Sequence, residues 1–126
     1  LTMAMSYFYG TEPALHSILI SLPILVWLAA VVGIHPIISA APLLAYFSKN
    51  LTVFDAAFVA QAHMIGWSAG TMVSFSSLST ILVSQQFKLK NTTLSFGTNF
   101  PVAGLLALGG GSFLVFLYEL IYLITG

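Results

Sequence analysis

The chain has 126 residues, of which 59% are hydrophobic and only 5% are charged, so it lacks the residues that cover a water-soluble domain. Its three basic and three acidic side chains cancel, which excludes a basic face for nucleic acid. The absence of cysteine excludes disulfides and thiolate metal ligands. This composition predicts a single all-α integral membrane domain over residues 1–126, in contact with the lipid bilayer.

The first predicted element is a helical hairpin over residues 13–48. Pro13 favours a helix start, because proline at the first helical position costs no hydrogen bond. About 21 mostly apolar residues follow, enough to cross about 30 Å of hydrocarbon. After Pro36 only about a dozen apolar residues remain, which is too few for a straight span. We therefore expect a re-entrant type of hairpin with its tip at GIHPIIS, residues 33–39.

The second predicted element, residues 52–87, is a helix broken in its middle. Thr52 and Asp55 match a capping box, so Asp55 is interpreted as a helix cap rather than a proton carrier. At about 36 residues the segment is too long for one ordinary span, and its apolar character is interrupted over residues 68–80. The interruption contains one glycine and several hydroxyl side chains, among them the residues singled out here: Ser68, Gly70, Thr71, Ser74, Ser76, Ser77 and Ser79. This pattern predicts two half-helices joined by unwound backbone.

The polar residues 88–98 are predicted to form an aqueous loop, followed by a final membrane-spanning helix over residues 99–125. Lys88 and Lys90 place this loop in the cytoplasm by the positive-inside tendency, in a bacterial or archaeal inner membrane. The three glycines at 109–111 are interpreted as a packing face for neighbouring helices. The chain opens without an initiating methionine, and we expect it to be part of a longer protein.

The two interruptions form the predicted functional site. Inside hydrocarbon an unpaired backbone amide or carbonyl costs several kcal/mol, so irregular backbone is expected only beside protein or a watery cavity. Amides at half-helix starts attract anions, whereas carbonyl and hydroxyl oxygens coordinate sodium. His35, directly before a proline, is expected to lend the anion a hydrogen bond or a positive charge. Sodium is expected at Ser74 and Ser76, while His16 and His63 are interpreted as structural. The candidate binding residues are His35, Pro36, Ser39, Gly70, Thr71, Ser74, Ser76 and Ser77.

The order of these segments resembles that of the C-terminal repeat of the ion transporter superfamily. The matching features are a hairpin with the tip GIHPIIS, a connecting loop, a helix broken by SAGTMVSFSSLST and a last span, over roughly residues 13–124. That group includes the divalent anion/sodium symporters and the large membrane subunits of TRAP transporters. The resemblance implies a carrier built from two inverted repeats, with substrate bound near the midplane where two hairpin tips and two broken helices meet. It further implies sodium-coupled transport of a small anion, no cofactor beyond a bound sodium ion, a missing N-terminal repeat as partner, and a homodimer of the full protein.

Two other classes of protein are open. An intramembrane enzyme would have to assemble its histidines with Asp55, but the chain lacks the patterns His-Glu-x-x-His and Gly-x-Ser-x-Gly, so no enzyme is predicted. A non-catalytic membrane subunit or a pore would use residues 109–111 as a packing face, with both interruptions merely structural. Sodium-dependent accumulation of an anion would separate a carrier from a pore.

Overall fold

A computed structural model describes residues 14–47, 51–74 and 77–125. Within these ranges the chain is all-helical and contains no strand, which confirms the predicted all-α class. The helices are α1 (Leu15–Val31), α2 (Pro36–Phe47), α3 (Val53–Val73), α4 (Leu78–Phe87), α5 (Asn91–Phe96) and α6 (Asn99–Thr125). The predicted helix start at Pro13 lies outside the described residues.

Three of these helices, α1, α3 and α6, form the body of the molecule. α6 runs antiparallel to α1, because Nε2 of His16 at the start of α1 lies 2.7 Å from Oε1 of Glu119 near the end of α6. It also runs antiparallel to α3, because the Tyr118 hydroxyl donates to Oδ1 of Asp55, in the first turn of α3, at 3.0 Å. α1 and α3 are therefore parallel, and α2 runs back beside them and adds Leu43 to their core.

The core between these helices is apolar and lies in two clusters. The larger cluster consists of Ile18, Leu19, Leu22, Val26, Leu43, Phe58, Val59, Ala62 and Leu114. The smaller cluster, of Ala69, Val73, Ala103 and Ala107, lies where α3 ends and α6 begins. Its short side chains let these two helices approach closely, and this contact fixes the position of the chain just before the second interruption.

α1 approaches α3 and α6 closely because glycines face it. A Cβ atom at Gly66 would lie 2.8 Å from the Cα atom of Pro23, and one at Gly111 would lie 2.7 Å from the Leu19 carbonyl oxygen. Pro23 has no N–H, so the Leu19 carbonyl lacks its usual helical donor, and Gly111 packs against it. No atom of the described residues lies within 4 Å of the Cβ position of Gly109. The packing face of the glycine triplet therefore excludes Gly109.

The cap predicted at the start of α3 is present. Oγ1 of Thr52 accepts a hydrogen bond from the Asp55 N–H at 3.1 Å, and the Thr52 hydroxyl donates to Oδ2 of Asp55 at 2.8 Å. The carboxylate thus bonds the hydroxyl of the capping residue. It also receives the Tyr118 hydroxyl, so Asp55 holds the capping side chain of Thr52 and joins α3 to α6.

The predicted extent of unwound backbone is wrong. α3 continues as a helix to Val73, so Gly70 and Thr71 are helical. The Ser68 hydroxyl donates to the Met64 carbonyl at 2.9 Å, and the Thr71 hydroxyl donates to the Ser68 carbonyl at 2.9 Å. Hydroxyls that bond back to the preceding turn are compatible with a helix, and this bonding explains why a hydroxyl-rich stretch remains wound.

The predicted loop over residues 88–98 is also corrected, because it contains α5. Lys88, at the end of α4, has a φ of 54°, a left-handed conformation that reverses the chain. Lys90 is extended and precedes α5 as its N-cap residue. The segment is therefore a short helix between two turns.

Within the described ranges, α6 is the one helix that is long and apolar enough to cross a membrane. Its 27 residues extend about 40 Å at about 1.5 Å per residue. Large apolar side chains are exposed along its whole length: Val102, Leu105, Leu106, Leu108, Phe113, Phe116, Leu120, Leu123 and Ile124. α1 and the Ile37–Tyr46 part of α2 are shorter apolar helices. α6 gives weak support to membrane association.

Candidate functional site

The first interruption is a tight turn over residues 32–35. Gly33 has a φ of 88°, a conformation that glycine adopts without strain. The Gly33 N–H donates to the Ala30 carbonyl at 3.0 Å, and the Ile34 N–H donates to the Ala29 carbonyl at 2.9 Å. These two bonds are those of a Schellman motif, which satisfies carbonyls at a helix end. The amides of Gly33 and Ile34 are thus paired within the turn itself.

His35 connects this turn to α2 and to α3. Its Nδ1 accepts a hydrogen bond from the Ile37 N–H at 3.3 Å, and its exposed ring lies 6.2 Å from the Trp67 ring, centroid to centroid. Pro36 begins α2, and Ser39 is half-buried within it. The described contacts of His35 are therefore structural, while its exposed surface stays accessible.

The second interruption lies between Ser74 and Ser77. The Ser74 N–H donates to the Gly70 carbonyl at 2.9 Å and ends α3, and the Ser77 N–H donates to the Ser74 carbonyl at 3.1 Å. Ser74 and Ser77 are both buried. Ser76, a predicted sodium ligand, lies outside the described residues. The helix break is real, but it is shorter than the sequence pattern indicates.

The Ser77 hydroxyl is the centre of a small hydrogen-bond network at this break. Its oxygen accepts from the Thr80 N–H at 3.2 Å and caps α4, and its hydroxyl donates to the Thr71 carbonyl at 3.0 Å. The Ser79 and Thr80 hydroxyls lie 3.1 Å and 2.8 Å from the same oxygen. A serine hydroxyl has one proton and two lone pairs, so this one is fully engaged. Ser77 therefore joins the two half-helices.

A cavity of about 130 Å³ lies beside this network. Polar groups from three helices line it, namely Thr71, Ser79, Thr80 and Asn99, together with the apolar Met72, Val83 and Leu94. None of these lining residues is charged. At roughly 30 Å³ for each water molecule, the cavity has room for a small ion with a few waters. Hydroxyl and amide oxygens are suitable ligands for a hard cation such as sodium.

The structure brings together some of the predicted site residues. Thr71 and Ser77 meet through the hydrogen bond across the break. Gly70 and Ser74 are buried at the end of α3. His35 lies beside Trp67, which precedes Ser74 by about two helical turns along α3. The described geometry therefore centres on the second interruption, and the assignment of the binding residues stays a prediction.

Two polar residues of the cavity lining, Thr80 and Asn99, were not among the predicted ones, and Ser79 was noted only as a hydroxyl of the break. Thr80 follows Ser77 at the spacing of a helix cap and its third helical residue, a signal that the sequence carried. Asn99 reaches the cavity only because α6 packs against the end of α3. No local sequence signal predicts that contact.

The titratable side chains lie elsewhere. Among the described residues, no three His, Cys, Asp or Glu side chains are close enough together to hold a metal ion. His16 pairs with Glu119, and Asp55 bonds Tyr118, at the end of the bundle opposite the break. The cavity beside the break is therefore an uncharged site.

Comparison with known proteins gives no relative. No protein-family model, no curated protein and no solved structure matches the chain. The functional conclusion must come from the geometry of the chain itself.

Proposed function

We propose that the chain is part of an integral membrane protein and that α6 crosses the bilayer. The observation that supports this is the series of large apolar side chains exposed along α6, which water would solvate poorly. Glu119, near the end of α6, is the sole charged residue in that helix. Lys88 and Lys90 lie before its beginning, so the positive-inside tendency assigns the break end of the bundle to the cytoplasm.

We further propose that the cavity beside the second interruption binds the coupling ion of a secondary carrier. The single observation that carries this proposal is that hydroxyl and amide groups from α3, α4 and α6 converge on one uncharged cavity at a break in a helix. Carriers commonly bind ions where a helix is interrupted, because oxygen ligands become available there. Sodium is the expected ion, and a small organic or inorganic anion is the expected substrate.

In this proposal the chain supplies one repeat of the carrier, and a second repeat completes the substrate site. The exposed ring of His35 and the neighbouring Ser39 would then face the second repeat and contact the anion. The full protein would act as a homodimer in the membrane. This arrangement accounts for an uncharged cation cavity in this half and for an exposed histidine outside it.

The test is thermal unfolding of the purified protein in detergent, in sodium chloride and in potassium chloride at equal ionic strength. Each salt is combined with a panel of small carboxylates and inorganic anions. A ligand that binds only the folded protein raises the melting temperature. We expect a rise with sodium that increases when the transported anion is added.

Two matched threonine variants test whether the sodium-dependent rise in melting temperature comes from the cavity. Thr71→Val removes a hydroxyl that lines the cavity, whereas Thr125→Val removes one that makes the same kind of bond to its own helix, at the other end of α6. Thr71→Val should abolish the sodium-dependent rise, and Thr125→Val should leave it unchanged. Equal responses in both variants would contradict the proposed ion site.

A second candidate is a membrane subunit without a ligand, in which both interruptions are structural. The Schellman motif at Gly33 and the fully engaged Ser77 hydroxyl favour it, because both satisfy backbone groups without a ligand. A well-folded protein whose melting temperature does not change with any salt or anion would support this candidate instead.

A further inference from the structure

A second polar feature lies at the end of the bundle opposite the break. It is a groove of about 410 Å³ between the start of α3 and the end of α6. We call it the Asp55 groove, and its lining includes Thr52, Phe54, Asp55, Tyr118, Tyr122 and Thr125. Nothing in the proposed ion site uses this groove.

The charge in the groove comes from Asp55. One carboxylate oxygen accepts the Tyr118 hydroxyl at 3.0 Å, and the other accepts the Thr52 hydroxyl at 2.8 Å. Both donors are neutral, and no described cationic side chain pairs with this carboxylate. A carboxylate offers about four lone-pair positions, so Asp55 can accept further hydrogen bonds. The described residues therefore leave the Asp55 charge without a cationic side chain, and only the positive end of the α3 dipole offsets part of it.

The neighbouring carboxylate is different. Glu119 lies in the adjacent groove, and its Oε1 is 2.7 Å from Nε2 of His16. The two carboxylates are at the same end of the bundle, but Glu119 already has a partner of opposite charge when His16 is protonated. Glu119 is therefore the matched control for Asp55 in tests of cation binding.

Aromatic rings form the walls around Asp55. The Phe54 and Tyr118 ring centroids are 5.7 Å apart, and Tyr122 completes the lining. Phe54 is 44% exposed and Tyr122 is 64% exposed, so their ring surfaces are accessible. Aromatic faces attract cations within about 6 Å, and a nearby carboxylate adds charge attraction. These two features together fit an alkylammonium group.

The position of the groove indicates where the ammonium group comes from. If α6 crosses the bilayer, its last turns lie at the depth of the lipid headgroups, where tyrosine is also enriched. Phe113 and Phe116, which lie earlier on α6 and therefore deeper in the bilayer, expose apolar surface for acyl chains. Lipid ammonium groups are abundant at this depth, whereas a free amine must come from solution.

We propose that the Asp55 groove binds the primary ammonium headgroup of a phospholipid of the phosphatidylethanolamine type. The N–H donors of a primary ammonium bond the free lone pairs of Asp55, while Phe54, Tyr118 and Tyr122 contact its charge. A quaternary ammonium lacks those donors and binds more weakly. This inference rests on the membrane part of the proposed function, but not on the ion site.

The test is a lipid titration of the purified full chain in detergent, followed by thermal unfolding. Phosphatidylethanolamine, phosphatidylcholine and phosphatidylglycerol with identical acyl chains are compared, and free ethanolamine is added in a separate arm. We expect the largest rise in melting temperature with phosphatidylethanolamine and the smallest with phosphatidylglycerol. An equal rise with all three lipids would overturn the proposal, and an equal rise with free ethanolamine would overturn the lipid source.

Variants assign the response to the groove. Asp55→Asn should weaken the apparent affinity for phosphatidylethanolamine about tenfold, because the amide oxygen still accepts a hydrogen bond but the attraction between opposite charges is lost. Tyr122→Leu leaves the α3 cap intact and should also weaken this affinity, whereas Glu119→Gln should leave the affinity unchanged. A retained response in both Asp55→Asn and Tyr122→Leu would overturn the assignment.

The outcomes separate this inference from the proposed function. Extraction of the native membrane fraction with alkaline carbonate reports whether the chain is integral, and release into the soluble fraction would contradict the membrane proposal itself. The sodium-dependent rise should persist in Asp55→Asn, because the groove and the cavity lie at opposite ends of the bundle. Loss of headgroup selectivity in a chain that stays in the membrane would overturn only the headgroup site.

Discussion

The three-helix core and the second interruption differ in the hydrogen bonding of their buried polar atoms. In the core, Nε2 of His63 and Nε1 of Trp27 are buried without a hydrogen-bond partner among the described residues. At the interruption, the Ser77 oxygen has four polar neighbours within 3.2 Å. Close packing therefore holds the core, while hydrogen bonds hold the interruption. Substitutions that change side-chain volume should have the largest effect on stability in the core, and substitutions that remove hydrogen bonds should have it at the interruption.

The strongest test of close packing is a comparison within the glycine triplet. Gly111→Ala places a methyl group 2.7 Å from the Leu19 carbonyl oxygen and 3.0 Å from the Ile20 Cα atom, both of them backbone. We expect it to lower the free energy of unfolding by about 2–3 kcal/mol, because α1 and α6 must separate. The measurement is reversible unfolding in detergent, followed by circular dichroism.

Gly109→Ala is the matched control, because none of the described residues has an atom within 4 Å of its Cβ position. It should raise the free energy of unfolding by about 0.5–1 kcal/mol, since alanine is the better helix former. Equal effects of the two substitutions would mean that α1 and α6 are not packed through Gly111.

The next largest effect is expected at the interruption. Ser77→Ala removes the cap of α4 and the bond to the Thr71 carbonyl, and should lower the free energy of unfolding by about 1–2 kcal/mol. Amide hydrogen exchange at Thr80 should become faster, because this N–H loses its acceptor. Ser79→Ala is the control, and as an exposed position it should cost less than about 0.5 kcal/mol. An unchanged exchange rate of the Thr80 amide in Ser77→Ala would show that packing, and not the hydrogen bond, protects the start of α4.

The sequence predicts the helical elements better than it predicts where they break. Thr52 and Asp55 stand at cap spacing, and the structure has that cap because both partners are local. Gly33 marks the first turn for a similar reason, because a positive φ depends on the residue at that position and not on distant contacts. Thr71 was wrongly placed in unwound backbone because a hydroxyl is compatible both with unwound backbone and with a helix in which it bonds the preceding turn.

The contacts that depend on packing could not be predicted. Asn99 reaches the cavity, and Tyr118 reaches Asp55, only because α6 lies antiparallel to α3. The residues of the second pair are 63 positions apart in the chain. A local sequence pattern contains no information on contacts between residues so far apart in the chain. The cavity and the Asp55 groove therefore became visible only in the structure.

The smallest effect is expected for His63→Leu, and a comparison with His63→Ala tests how the core accommodates an unpaired polar atom. His63 is 2% exposed, its Nε2 has no hydrogen-bond partner in the described parts of the chain, and its ring lies 6.0 Å from the Trp67 ring. His63→Leu preserves most of the volume and removes the unpaired nitrogen, so the free energy of unfolding should stay within about 1 kcal/mol or rise. His63→Ala leaves a void and should lower it by about 2 kcal/mol or more. If leucine is as costly as alanine, the imidazole has a polar partner in the folded protein, and the core then depends on hydrogen bonding as the interruption does.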